Sequence, residues 1–290
     1  PNTSTEAIDI HSSVVVNSSG GTTISFGRGS STTEDLYLDI NGSKTFINFT
    51  VDAGSYKVIS KEDLDVNGDL TISSGYLSGN IDEDIRIAGN LSTYSSDVII
   101  DNWDDIYFDG STSVNCGAFS DLNIDLNISS GTVTAIGDIT TNQIIVSSGA
   151  TFNVSTTNFT NDNTVNIDGT LQITSGSFTT SGNTDVDGTL TISTGTYDGN
   201  GSFDVTNGNL TFTDAGIIKL SGNVTSLGSF TKGTGKIEFD GSGSQNLPSQ
   251  AITVHNFEID NSSGITLAGD FTVEGTLTLT SGDFQKLIRD

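Results

Sequence analysis

Apolar and polar residues alternate through most of this chain, and the alternation returns at a fixed interval. Leu70 stands in D-L-T-I-S-S-G, Leu126 in D-L-N-I-S-S-G, Leu171 in T-L-Q-I-T-S-G, Leu190 in T-L-T-I-S-T-G and Leu277 in T-L-T-L-T-S-G. A period of two is the signature of a strand with one buried face. Gly169, Gly188 and Gly208 recur every 19 to 20 residues. Such an interval marks a stack of small units that bury their apolar faces only against one another. A strand, a Ser/Thr-Gly corner and another strand in every repeat predict an all-β fold, a β-solenoid (parallel β-helix) of roughly 20-residue coils. About 14 coils of that size fit in the 290 residues.

The pattern is clearest from Asn166 to Phe239. Alternation places Ile167, Leu171, Ile173 and Phe178 inside, with Val186, Leu190, Ile192 and Tyr197 at matching positions, then Val205, Leu210, Phe212 and Ile217. Stacked coils turn these sets into apolar columns. The Gly after each Asp or Asn is expected to supply a corner with positive φ. Residues 1–60 repeat less clearly and read as irregular N-terminal coils or a cap, with strand-like runs at Ser13–Val16, Thr22–Phe26, Leu36–Ile40, Thr45–Val51 and Tyr56–Ile59. Residues 61–290 read as one continuous, regular solenoid domain. The segment Gly241–Gln250, with Pro248, is expected to loop out of the stack before a strand resumes at Ile252. No amphipathic helix is seen that would cover the last coil, so an open sheet edge is expected there.

Composition narrows the partners. Ten basic residues against 36 acidic ones give a formal charge of −26. That surface repels nucleic acid and anionic lipid and attracts cations. No apolar run is long enough for a membrane-spanning helix, so no membrane insertion is expected. A single cysteine, Cys116, excludes an intrachain disulfide framework and a Cys-based zinc site. The chain begins at Pro1 without Met or an apolar leader, as a mature secreted protein does after cleavage. An extracellular, secreted or cell-surface location is the expectation.

The segment S-G-S-Q-N-L-P-S-Q-A-I-T-V-H-N-F-E-I-D-N-S-S-G-I-T-L-A-G-D-F-T-V-E-G-T-L-T-L-T-S-G, residues 242–282, resembles the degenerate repeats of β-solenoid cell-surface and adhesin-like proteins of bacteria and archaea. The likeness spans roughly residues 64–290. It implies a β-solenoid at the cell surface and a role in attachment, envelope structure or display.

Four constellations bear on chemistry. Asp63-x-Asp65-x-Asn67-Gly68-Asp69 resembles the opening of an EF-hand calcium loop, with hard oxygen ligands at alternate positions and Gly at the turn. Ser74 stands where that loop needs a bidentate Glu. Because Leu64, Val66 and Leu70 alternate with these acids, the same residues also read as the outward face of a strand. Asp185 and Asp187 recur at equivalent places, so Asp63, Asp65, Asn67, Asp69, Asp185 and Asp187 are the candidate calcium ligands. Asp101-Asn102-Trp103-Asp104-Asp105 is a second acidic corner, where Trp103 is either a core aromatic or a sugar-stacking platform. A polysaccharide lyase or hydrolase on this fold needs a base beside acids. Arg86, near Asp82, Glu83 and Asp84, is more simply a surface ion pair, and His11 and His255 are isolated. N-x-Ser/Thr sequons, including Asn17, Asn48, Asn90, Asn127, Asn153, Asn158, Asn209, Asn223 and Asn261, are candidate glycosylation sites.

These features predict a non-catalytic structural protein that associates with itself, head to tail, through open solenoid ends. It would form a filament, sheath or surface layer. The alternatives are an adhesin stalk that binds surface carbohydrate and a polysaccharide-active β-helix enzyme. Flat Thr-x-Thr rows for ice binding rank last, because Asn, Gln and Asp interrupt them.

Overall fold

A computed structural model describes residues 6–9, 22–25, 36–39, 45–80, 82–93, 100–101, 103–115 and 125–286. All regular structure among them is parallel β-strand, wound as a β-solenoid of about 11 turns. The number falls below 14 because the turns are described mainly from residue 45 onward and several exceed 20 residues. The chain divides into two compact units, Pro1–Gln143 and Ile144–Asp290. The run Ser13–Val16 and Cys116 lie outside the described residues.

The second unit has the more regular turns. Each contains three strands rather than the two expected, laid on three faces named B, A and C in chain order. Val165–Ile167 lies on face B, Thr170–Ile173 on face A and Ser177–Thr180 on face C. The next turn repeats them as Thr184–Val186, Thr189–Ile192 and Thr196–Gly199, each hydrogen-bonded in parallel to its predecessor. Side chains alternate in and out along every strand. Phe152, Leu171, Leu190, Leu210 and Phe230 therefore come into register on face A. Leu171, Leu190 and Leu210 are all fully buried, as the repeat predicted. On face C, Phe159, Phe178 and Tyr197 pile up with ring centroids 4.9 and 5.6 Å apart and planes tilted by only 15° and 7°. Full burial of each such side chain contributes roughly 1.5–3 kcal/mol, and the piled rings add about 0.5–1.5 kcal/mol per pair.

Three local expectations are corrected. Ile218, not Ile217, follows Tyr197 in the face C column, because that step is 21 residues long and moves the register. Gly169, Gly188 and Gly208 do not adopt positive φ. They are required because a Cβ there would sit 2.3 Å from the Ser147 oxygen, 2.0 Å from the Gly169 oxygen and 2.2 Å from the Val186 oxygen. Turn spacing, not φ, excludes a side chain at these corners. Finally, Gly241–Gln250 stays in the stack. Gln245–Asn246 is a strand paired with Ile265–Leu267, and Gln245 and Leu247 are buried.

That segment nevertheless marks a change. The face A ladder stops at Ser229–Thr231 and the face B ladder at Val224–Ser226, while face C runs on from Lys236–Phe239 to Asn256–Asp260. Two glutamines span the interruption. Gln245 donates from Nε2 to the Leu220 and Gly222 oxygens, both at 2.8 Å. Its Oε1 accepts from the Gly241 N–H at 3.1 Å and from Asn261 Nδ2 at 2.7 Å. Gln250 Oε1 accepts from Ser226 Oγ and from the Leu227 N–H, both at 3.2 Å.

In the first unit the inward face B column is Leu64, Ile85, Ile106 and Leu126, with steps of 21, 21 and 20 residues. Faces A and C are joined there by long bent strands. Phe49–Ser60 pairs with Leu70–Ser78 in two stretches separated by register shifts.

Candidate functional site

The first unit carries an acid immediately before each inward residue of its face B column. Asp63 precedes Leu64, Asp84 precedes Ile85, Asp105 precedes Ile106 and Asp125 precedes Leu126. Parallel pairing stacks equal positions, so these four acids form one row, one turn apart at about 4.8 Å. Glu62, Glu83 and Asp104 stand one residue earlier in the first three of those turns. The Asp104 N–H donates to the Glu83 oxygen at 2.8 Å. The result is a two-column ladder of carboxylates along one edge of face B.

Asp84, Asp104 and Asp105 approach most closely, with one oxygen of each within 4.8 Å of the others. Counter-charge is sparse. Arg86 Nη2 lies 3.6 Å from Asp84 Oδ2, and its guanidinium sits 4.0 Å from the Tyr107 ring centre, so the arginine is shared with a π face. Tyr107 OH donates to Asp105 Oδ2 at 2.9 Å, and Asn127 Nδ2 donates to Asp105 Oδ1 at 2.9 Å. Partial burial pushes the Asp84 carboxyl above its ordinary range, with Asp105 and Asp63 adding to the shift and Arg86 opposing it. Burial also raises Asp125, although Asn142 Nδ2 donates to it at 2.7 Å. Glu83 is raised by burial and by Asp63 and Glu62. Burial and the bond to Asp105 push Tyr107 up to about 12. Carboxyls with raised pKa hold protons more tightly folded than unfolded. Their stabilisation is present below the ordinary carboxylate range and is lost as pH rises through the raised values. At neutral pH the burial of Glu83, Asp84 and Asp125 and the nearness of other acids therefore work against stability.

The six candidate ligands read from sequence do not meet at one point. Asp63 Oδ1 accepts the Asp84 N–H at 2.9 Å, Asp65 Oδ2 accepts Thr45 Oγ1 at 2.8 Å and Asp69 Oδ1 accepts the Asn90 N–H at 2.7 Å. Each of these acids reaches into a neighbouring turn, so the segment is the outward face of Leu64–Val66 with its corner, not a loop that closes on itself. Asn67 is exposed. Asp185 and Asp187 are exposed in the second unit, where Asp187 Oδ1 accepts Asn207 Nδ2 at 3.0 Å. Burial, then Asp187, Asp204 and Asp168, raise Asp185. Asp84, Asp104 and Asp105, which the sequence places beside Arg86 and in the second acidic corner, come together instead. Trp103 is only 4% exposed and is a core aromatic, not a platform.

Several sequon asparagines have structural work in the same style. Asn48 Oδ1 accepts the Asp69 N–H at 2.8 Å and Asn90 Oδ1 accepts the Ser113 N–H at 2.9 Å. Asn153 and Asn158 accept from Thr174 Oγ1 at 2.9 Å and Ser177 Oγ at 2.7 Å. Asn127 is buried against Asp105, and Asn261 is fully buried with its Nδ2 bound to the Gly243 oxygen and Gln245. An Asx residue that bonds across turns, followed two positions later by an outward Ser or Thr, generates N-x-Ser/Thr as a by-product of the repeat. Asn17 lies outside the described residues.

No helix among the described residues is long and apolar enough to cross a membrane. No family model, curated protein sequence or solved structure matches the chain. Fold and site together define an acidic β-solenoid whose first unit carries a carboxylate ladder on one edge of face B.

Proposed function

We propose that this protein is a non-catalytic structural component of an extracellular surface, built into a filament, sheath or layer by head-to-tail stacking of solenoid ends. The observation that carries the reading is the last face C strand, Leu277–Ser281. Its Leu277 and Leu279 pair with Phe257 and Ile259, which are 1% and 0% exposed, yet they are themselves 46% and 54% exposed. Inward positions of a coil are left in solvent, beside a strand edge that pairs with no further strand among the described residues. A further parallel coil fits there, whether from the continuation of a longer chain or from a second copy, and the proposed source is a second copy that offers its N-terminal strands before about residue 60. A structural role is also supported by Arg86, whose charge is held by Asp84 and the Tyr107 ring rather than presented as a base.

Sedimentation velocity over a concentration series tests this. Association is expected for the native sequence, and Leu277→Asp with Leu279→Asp is expected to weaken it by about tenfold or more, equivalent to about 1.4 kcal/mol. Both side chains are already exposed, so the fold should persist. A protein that stays monomeric at high concentration contradicts the polymer reading and favours an adhesin stalk.

Calcium on the carboxylate ladder is the second element of the proposal, since a hard divalent ion relieves the repulsion among Asp84, Asp104 and Asp105. At about 1 mM calcium, within the range of extracellular sites, melting of the first unit is expected to rise by about 2–4 °C over a control matched in ionic strength. The Asp104→Asn variant should lose that increment. Equal melting in calcium and in matched monovalent salt would show screening alone.

A further inference from the structure

An N-linked glycan is compatible with the folded chain where the asparagine is exposed and its amide holds no other group, and the fold divides the sequons on that ground. Asn209 and Asn223 are both exposed, and neither side chain takes part in a hydrogen bond among the described residues. Each has a physical reason for its freedom. Asn209 opens the face A strand Asn209–Phe212 and pairs along the backbone with Thr189 and Ser229, so its side chain points outward between two short hydroxyl side chains. Asn223 directly precedes Val224–Ser226, in the column that also holds Asn183 and Ser202. Asn183 Oδ1 accepts the Ser202 N–H of the following turn at 3.0 Å. Asn223 has no such partner, because Val224–Ser226 is the last strand of the face B ladder. The interruption that Gln245 spans is therefore also what releases Asn223. The hydroxyl residues that complete the two motifs, Thr211 and Thr225, are half-buried and exposed.

We infer that Asn209 and Asn223 are N-glycan acceptor sites, and that the buried or engaged Asn90, Asn127 and Asn261 are not. The inference rests on the extracellular reading, since the donor is a lipid-diphosphate-linked oligosaccharide of a secretory route. In the transfer, Nδ2 forms a bond to the anomeric carbon while the glycosyl–phosphate C–O bond breaks. The electron pair leaves with the lipid diphosphate, and the displaced Nδ2 proton passes to the base of the transferase. Asn209 begins the strand after face B and Asn223 lies just before face B one turn later. Glycans at both would flank that face and leave the apolar Leu277–Ser281 edge uncovered.

The test is secretion of the full chain from a glycosylating eukaryotic cell, followed by peptide mapping with and without an amidase that converts glycosylated Asn to Asp. Occupancy is expected at Asn209 and Asn223, with Asn209→Gln and Asn223→Gln each removing one glycan from the intact mass. Circular dichroism of both variants should be unchanged, because neither side chain holds another group. Bare Asn209 and Asn223 in secreted, folded protein would overturn the inference, whether or not other sequons are occupied. So would a glycan on Asn127 or Asn261. Sedimentation of the deglycosylated protein reports separately on assembly, so failure of the sites and failure of the structural role are distinguishable.

Discussion

Leu190→Asp is expected to unfold the middle of the second unit. Leu190 is fully buried between Leu171 and Leu210, in a column with no solvent on either side. Truncation of such a leucine alone costs about 2–5 kcal/mol, through lost transfer energy and the cavity that remains. A carboxylate in its place has no cation or donor among the aliphatic groups of its column, and a buried unpaired charge adds several kcal/mol more. Because each turn contacts only its neighbours, the damage should centre on the turns that hold Leu171, Leu190 and Leu210. Urea denaturation followed by circular dichroism is expected to show a loss of at least about 4 kcal/mol. Thr191→Asp, one residue along the same strand and facing outward, is the control and should change stability by no more than about 0.5 kcal/mol. Similar effects from the two substitutions would mean that the strand does not alternate as described.

Gln245→Leu is expected to uncouple the last turns from the rest of the second unit. Gln245 is 2% exposed and holds four groups at once: the Leu220 and Gly222 oxygens, the Gly241 N–H and Asn261 Nδ2. Leucine is apolar and one atom shorter, so most of the packing is retained while every bond is lost. The Leu220 oxygen keeps the Asp240 N–H and Asn261 Nδ2 keeps the Gly243 oxygen, so the Gly222 oxygen and the Gly241 N–H lose their partner, at about 1–3 kcal/mol each and about 2–6 kcal/mol in total. Two of the three backbone ladders are interrupted at this step, so little else carries the load. What remains is the face C ladder, the bonds of Gln250 to Ser226 and Leu227, and a few ion pairs. Lys236 Nζ lies 2.8 Å from Glu238 and 2.7 Å from Glu258, and Lys232 Nζ lies 2.7 Å from Glu274. Hydrogen exchange should therefore quicken in Ile252–Val254, Ile265–Leu267 and Phe271–Val273 while Thr170–Ile173 and Thr189–Ile192 stay protected. Uniform exchange across all these strands would argue that the turns unfold as a single block.

Much of this fold was written in the spacing of a few leucines. Leu171, Leu190 and Leu210 are large, regularly spaced and flanked by Thr, so both the strand period and the repeat are visible at once. The third face was hidden for the opposite reason. Ser177–Thr180 and Thr196–Gly199 contribute one aromatic each, Phe178 and Tyr197, with Thr180 and Gly199 as their second inward residues. A strand with a single apolar residue does not display a period. Gly241–Gln250 misled through composition, since Gly, Ser and Pro signal a loop while Gln245 and Leu247 point inward. The carboxylate ladder did leave a trace, an acid directly before the first inward residue at Leu64, Ile85, Ile106 and Leu126. Its meaning depends on register, because acids some 20 residues apart become neighbours only once the turns are aligned.

Parallel register at fixed spacing has a bearing on how such a chain changes length. Thr184 and Phe203 occupy the same place in consecutive turns, as do Leu190 and Leu210. Excision of residues 184–202 would join Asn183 to Phe203 and seat Phe203 against Val165, with every later strand still facing an equivalent partner. Duplication of the same segment would insert a turn as smoothly. A gain or loss of one residue inside a strand, by contrast, would turn the inward side chains beyond it outward, whereas the corners absorb the one or two residues by which steps of 19 to 21 differ. Genes for this architecture can thus lengthen or shorten their product in whole turns, and the reach of the protein becomes a trait that recombination adjusts without redesigning the core.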